Sequence, residues 1–206
     1  VSIDVVDAEL YLKCAVEEGN PEAVRACLAQ GASVNCQFKD DLYTPLHTAC
    51  SSSSGSSSTS ITGSSLDVLN LLLDRGADGN ACNKWRETPL LIAANNGNKA
   101  AVEALLDHGA DPSLCSEAGW SALTFAAHKG YDHIVKILIA AGAPVNCRVI
   151  EDCSTPLHKA CAGSKAGHLS AVKQLLDADA DVHALNKWRV TPLLTAANHG
   201  QVDRYW

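Results

Sequence analysis

The sequence predicts an all-α chain of stacked helix–turn–helix units. Three observations predict it: a phased internal repeat, helix-start and helix-stop residues inside each repeat, and apolar stripes at helical spacing. Thr44-Pro45-Leu46-His47 returns as Thr88-Pro89-Leu90-Leu91, Ser121-Ala122-Leu123-Thr124, Thr155-Pro156-Leu157-His158 and Thr191-Pro192-Leu193-Leu194, with starts 44, 33, 34 and 36 residues apart. A second marker runs in phase: Gly31-Ala32, Gly76-Ala77, Gly109-Ala110, Gly142-Ala143 and the degenerate Asp179-Ala180. From each marker to the next Thr or Ser is 12 or 13 residues, a nearly fixed loop. A period in this range is the signature of a repeat architecture.

The elements follow in order. Residues about 7–35 form a first unit; Leu10 to Asn35 fit the repeat but lack Thr-Pro, as an N-terminal capping unit would. Units follow over about 36–80, 81–113, 114–146 and 147–183, and a last one over 184–206 stops inside its second helix at Tyr205-Trp206. The unit 36–80 is long because of a Ser-rich insertion over about 51–64, which reads as one surface insert in a single domain spanning 1–206. Thr and Ser are good N-caps, and a Pro directly after them sits where its missing N–H costs nothing. Leu90, Ala93 and Ala94, then Leu123, Ala126 and Ala127, recur at i, i+3, i+4 and make one apolar helical face. Gly97 and Gly130 end that first helix with a left-handed cap. Ala101, Val102, Leu105 and Leu106, matched by Ile134, Val135, Leu138 and Ile139, give a second stripe that Gly109 and Gly142 close. No unit could bury its stripes alone, so stacking supplies the core.

On these residues the chain resembles the ankyrin-repeat family, whose Thr-Pro-Leu-His-x-Ala pattern and 33-residue period it carries from about Asp7 to Trp206. Departures are the Ser-rich insertion, Ala122 in place of Pro, and Asp179 in place of Gly. The resemblance implies a solenoid with β-hairpin-like loops. It also implies that partners bind the loop tips and the concave inner face of the first helices. A finer pattern lies above the single repeat: Val34-Asn35-Cys36 to Cys50 resembles Val145-Asn146-Cys147 to Cys161, and each block is followed by Asn-Lys-Trp-Arg, at Asn83–Arg86 and Asn186–Arg189. A block of roughly three repeats is duplicated.

Composition removes whole classes of function. The 206 residues carry 16 Lys+Arg against 23 Asp+Glu, a net charge of −7, with 47% hydrophobic and 5% aromatic residues. That apolar content excludes a disordered chain. The acidic balance argues against a general nucleic-acid binder, and no apolar run approaches the roughly 20 residues of a spanning helix. Nine Cys scattered singly, without a secretory signal, point to reduced thiols in the cytoplasm or nucleus. The absence of Met, even at position 1, reads as a fragment or processed product.

Catalytic chemistry finds little support. His47 and His158 recur with the repeat, which favours a ring that ties a helix start to the neighbouring loop over a general base. Cys50 and Cys161 occupy the small core position held by Ala94 and Ala127 elsewhere, as inert small hydrophobes. There is no Cys-x-x-Cys pair, no Gly-rich phosphate loop and no nucleophile elbow. The expectation is therefore no enzyme, no cofactor and no metal. Recognition has better candidates. On the tips stand Lys84, Trp85 and Arg86, their copies Lys187, Trp188 and Arg189, and Trp120; on the inner helices stand Asn95, Phe125, His128, Lys159 and Asn198. Trp and Arg dominate energetic anchors at interfaces, while the alternative packs each Trp across the adjacent loop with Arg stacked on it. The Ser-rich insertion reads as a flexible linker ahead of a phosphorylated switch, and Asn80 as a turn residue ahead of a hydroxylation target.

The expected function is a protein–protein interaction module, a monomeric scaffold or adaptor binding another protein and neither nucleic acid nor membrane. The alternative is the regulatory or substrate-recruiting segment of a larger enzyme such as a ubiquitin ligase or methyltransferase.

Overall fold

The computed structural model describes residues 5–51, 63–163 and 166–200. Among them are α1 (Val5–Glu17), α2 (Pro21–Ala29), α3 (Pro45–Ser51), α4 (Gly63–Asp74), α5 (Pro89–Asn96), α6 (Lys99–Asp107), α7 (Ala122–Lys129), α8 (Asp132–Ala140), α9 (Pro156–Cys161), α10 (Ala166–Asp177) and α11 (Pro192–Asn198). The described residues contain no strand, only an isolated bridge between Cys115 and Ser121. Most of the Ser-rich insertion, from 52 to 62, lies outside the described residues. So do Tyr205 and Trp206, on which the expectation of a truncated last unit rests.

The chain divides into two compact units, Val1–Asp111 and Pro112–Trp206. In the first, α1, α3 and α5 pack side by side in one row, and α2, α4 and α6 form a second row behind them. In the second unit, α7, α9 and α11 make the front row, with α8 and α10 behind. The all-α stack expected from the repeat is what each unit shows.

The helix starts follow the capping chemistry. Thr88, Ser121, Thr155 and Thr191 are extended, with φ between −94° and −83°, and each side-chain oxygen accepts the N–H three residues on. Such a cap is worth about 1 kcal/mol. Helix α7 begins at Ala122 without a Pro because Ser121 still caps it; the Pro pre-sets φ but is not required. Gly97 and Gly130 end their helices at φ 73° and 72°, in the left-handed region that costs other residues roughly 1–2 kcal/mol. Asp179 takes the same kind of conformation, φ 60°, where the other units have Gly. Asp is among the residues most tolerant there, so the degenerate marker keeps the fold of the regular ones.

Apolar stripes meet inside each unit. Leu46, Leu69, Leu72, Leu90, Ala93, Ala94, Val102 and Leu105 are buried in the first; Leu123, Ala126, Ala127, Ile134, Val135, Leu138, Leu157 and Leu175 are buried in the second. Each buried Leu contributes about 1.5–3 kcal/mol, and the Ala positions let neighbouring helices come close. One contact is tighter still. A Cβ on Gly163 would fall 1.8 Å from His168 Cδ2, and one on Gly130 would fall 2.6 Å from His168 Nδ1. The buried His168 ring fills the space those missing side chains leave, and its Nε2–H donates to His128 O at 2.9 Å.

Candidate protein-binding face

Loops ahead of the front-row helices are narrow hairpins. Each is closed by a backbone bond across its base, Phe38 N to Tyr43 O, Asn83 N to Glu87 O, Ser116 N to Trp120 O, Val149 N to Ser154 O and Asn186 N to Val190 O, all 2.8–3.1 Å, and by a second bond back to the first residue's carbonyl. Two residues before each capping Thr or Ser the backbone turns left-handed: Leu42 φ 58°, Arg86 φ 59°, Gly119 φ 77°, Cys153 φ 56° and Arg189 φ 59°. Only the third loop has Gly there, and its reason is a close approach. A Cβ on Gly119 would lie 2.8 Å from Arg148 O and 2.9 Å from Ile150 N.

Successive hairpins inside a unit are tied together. Lys84 N donates to Asp41 O at 3.0 Å, Ile150 N to Ala118 O at 2.9 Å, and Lys187 N to Asp152 O at 2.9 Å. Asn side chains add a second tie at the marker. Asn35 Oδ1 accepts from Asp78 N, Asn80 Oδ1 from Asp111 N, and Asn146 Oδ1 from Asp181 N, each at 2.8 Å. Asn80 is therefore committed to a loop-to-loop bond. The tips are held before any partner arrives, which lowers the ordering cost of binding.

His47 and His158 complete this framework. Each Nδ1 accepts the N–H of its own capping Thr, at 3.1 and 3.2 Å. Each Nε2 lies 3.0 Å from a carbonyl of the next loop, Glu87 O or Val190 O. A carbonyl can only accept, so the proton sits on Nε2 and both ring nitrogens are engaged. Burial pushes both imidazoles below the ordinary 6.5. Neither has a free nitrogen to act on a substrate. Cys50 and Cys161 are buried as expected, and burial raises both thiols, Cys161 to about 12. Among the described residues no group of three or more His, Cys, Asp or Glu is placed to hold a metal.

The two Asn-Lys-Trp-Arg tips share one geometry. Lys84 Nζ lies 4.5 Å from the Trp85 ring centroid and also donates to Asp40 O. Lys187 Nζ lies 4.8 Å from Trp188 and donates to Glu151 O. The cation stacked on each Trp is therefore the Lys before it, and Arg86 and Arg189 stay exposed. The indoles differ in their backing. Trp85 packs edge-on against Tyr43, centroids 6.3 Å apart, and is 43% exposed; Trp188 is 62% exposed.

The second unit brings four more expected residues together. Trp120 stacks on Phe125 at 4.8 Å and meets His128 edge-on at 5.5 Å, while Lys159 Nζ sits 4.9 Å from the Trp120 centroid. Lys159 also donates to Asp152 Oδ2 at 2.6 Å. Phe125, which has no role in helix stacking, thus has a role in holding Trp120. Desolvation and the nearby Lys129 and Lys159 lower the His128 pKa. Asn198 borders a groove with Trp188 and Lys159. Asn95 is half-buried on α5, and its neighbour Asn96 donates to Cys50 O at 3.2 Å. Two groove residues were missed by the sequence reading, Asp152 and the small Ser154, as was Ile150, exposed at its loop tip. Aligning the duplicated blocks places Ser154 at the position of Tyr43 and Ile150 at that of Lys39, which was the available signal.

Capped helix pairs joined by tied hairpins define a helical repeat protein. Models of ankyrin repeats match residues 12–58 (many copies), 57–149 (3 copies) and 152–187 (a single repeat). The chain belongs to the ankyrin-repeat family. A stretch of 92 residues is 39% identical to the "Ankyrin repeat, SAM and basic leucine zipper domain-containing protein 1" of Notamacropus eugenii, covering 44% of this chain and 18% of that protein. Ankyrin repeats are general protein–protein interaction modules. No helix among the described residues is long and apolar enough to cross a membrane.

Proposed function

We propose that this chain is a scaffold or adaptor module that holds a partner protein through its loop tips and the exposed faces of its front-row helices. The observation that carries the reading is the combination of exposed indoles with a fixed backbone. Trp85 and Trp188 stand on hairpins whose backbones are bonded to the preceding loop. An exposed Trp on a mobile loop would lose much of its binding energy to ordering; a Trp on a braced hairpin does not. No catalytic step is needed, and the engaged His47 and His158 support a non-catalytic role.

The test is capture of partners from cell lysate by the wild-type chain and by Trp85→Ala/Trp188→Ala, with identification by mass spectrometry and a circular-dichroism melt of both. A defined partner set that the double variant loses while still folded supports the reading. Retention of every partner sinks the assignment to the tips. A second reading is a recruiting segment within a larger multidomain enzyme; the relative above, whose name joins ankyrin repeats to other domains, supports the multidomain setting alone. It differs in what surrounds the module, and both readings use the same face.

A further inference from the structure

The two copies of the duplicated block share a scaffold and differ in the side chains beside their second loop tips. Asp41 and Asp152 accept from equivalent Lys N–H groups, and Leu42 and Cys153 share the left-handed turn, so the next residues, Tyr43 and Ser154, are structural equivalents. In the first unit Tyr43 fills the space beside Trp85 and lies edge-on to His47, centroids 5.4 Å apart. In the second unit the small, buried Ser154 stands at that place. There a groove of about 350 Å³ opens, bordered by the paired Asp152 and Lys159 and by Ser154, Trp188, Thr195 and Asn198. Its size is at the lower end of ligand sites, enough for a short stretch of chain.

Charge has diverged along with shape. Around the first copy Lys39, Lys84 and Arg86 face Asp40, Asp41 and Glu87, a balance. Around the second copy Lys159 and Asp152 pair with each other at 2.6 Å, which leaves Arg148, Lys187 and Arg189 against Glu151, since Glu87 has become Val190. Arg148 donates to the carbonyls of Leu185 and Cys153, and Lys187 to that of Glu151, so these bonds leave both positive charges unneutralised. Helices α7, α9 and α11 carry no Asp or Glu at all. On a chain of net charge −7, this is a local positive face beside an exposed indole.

We propose that this groove takes an extended acidic peptide segment of the partner protein, with one apolar side chain against Trp188 and carboxylates opposite Lys187 and Arg189. The proposal rests on the interaction-module reading and narrows it to one groove and one chemistry. Opposite charge across the interface would speed encounter and select the segment; the indole would supply the anchoring contact.

The experiment is fluorescence polarisation with labelled ten-residue peptides that carry a central Leu, Phe or Pro flanked on both sides by Glu-Ser or by Lys-Ser. Glu-flanked peptides should bind, weaken with added salt, and lose about tenfold or more in affinity on Ser154→Tyr and on Lys159→Thr. Both variants copy residues the first unit carries at the same places, and circular dichroism checks that each folds. Lys136→Glu, an exposed change on the back-row helix α8, should leave binding unchanged. Failure of every Glu-flanked peptide, equal binding of Lys-flanked ones, tighter binding of a single-stranded oligonucleotide, or indifference to Ser154→Tyr would overturn the proposal. If lysate partners lost by the double Trp variant are kept by Ser154→Tyr, the module reading stands and the acidic-groove assignment falls.

Discussion

Arg86 and Arg189 are the sharpest place to separate folding from binding. Both sit at φ 59°, in the left-handed region, and both side chains are exposed. Holding a residue with a Cβ there costs roughly 1–2 kcal/mol. A Gly at the same point escapes that strain but gives back about 0.5–1 kcal/mol through the larger entropy of its unfolded chain. Arg86→Gly and Arg189→Gly should therefore each stabilise the protein by about 0.5–1 kcal/mol, and together raise the melting temperature by about 2–8 °C for a chain of this size. The turn itself survives, because Arg86 N and Arg189 N keep their bonds to Asn83 O and Asn186 O, at 3.0 and 2.9 Å. Arg→Ala is the control: it keeps the Cβ and the strain, so stability should stay within about 0.5 kcal/mol of wild type. Urea unfolding of all four single variants reads this directly. If Gly destabilises, or if Ala stabilises as much as Gly, the tips are not strained as argued. If the Gly variants gain stability and lose the partner, the strain is retained for binding.

Other outcomes follow from the same geometry. Gly163→Ala should destabilise by about 1–3 kcal/mol or more, because its Cβ would overlap the buried His168 ring; an unchanged urea midpoint would show that ring can move aside. The imidazoles of His47 and His158 titrate below 6.5 when folded, so the unfolded chain binds protons first as pH falls. Stability should be level above about pH 6.5 and decline below it, and His47→Leu, which copies Leu91, should flatten part of that decline in urea titrations at several pH values. Asn146→Ala removes two ties, to Asp181 N and Asp179 O, and should cost about 1 kcal/mol in the same assay.

The fold was legible because its signals are local. A capping Thr, a Pro at the first turn and a left-handed Gly each act within a few residues, and their phase across units forced the stack. The pairing of His47 and His158 with the next loop was legible for the same reason, since it recurs with the repeat. The face was legible in part. Residues Trp120, Phe125, His128 and Lys159 all lay among the candidates, but nothing in their spacing shows that the first three meet or that Lys159 closes over the indole. The exposure difference between Trp85 and Trp188 was illegible from the motif itself, because the two copies read alike there; the difference lies in Tyr43 against Ser154, one loop away. The alternative reading had Arg86 and Arg189 stacked on their indoles, yet the left-handed turn at each Arg leaves that place to the preceding Lys.

The central claim is that the tips and front-row helices of this chain hold a protein partner. Its most direct test is the affinity of a captured partner for wild type, for Trp188→Ala and for Lys136→Glu, an exposed change on the back-row helix α8. The account predicts a loss of about tenfold or more for Trp188→Ala with folding intact, and no change for Lys136→Glu. Equal affinity for wild type and Trp188→Ala, or a loss confined to Lys136→Glu, would contradict it.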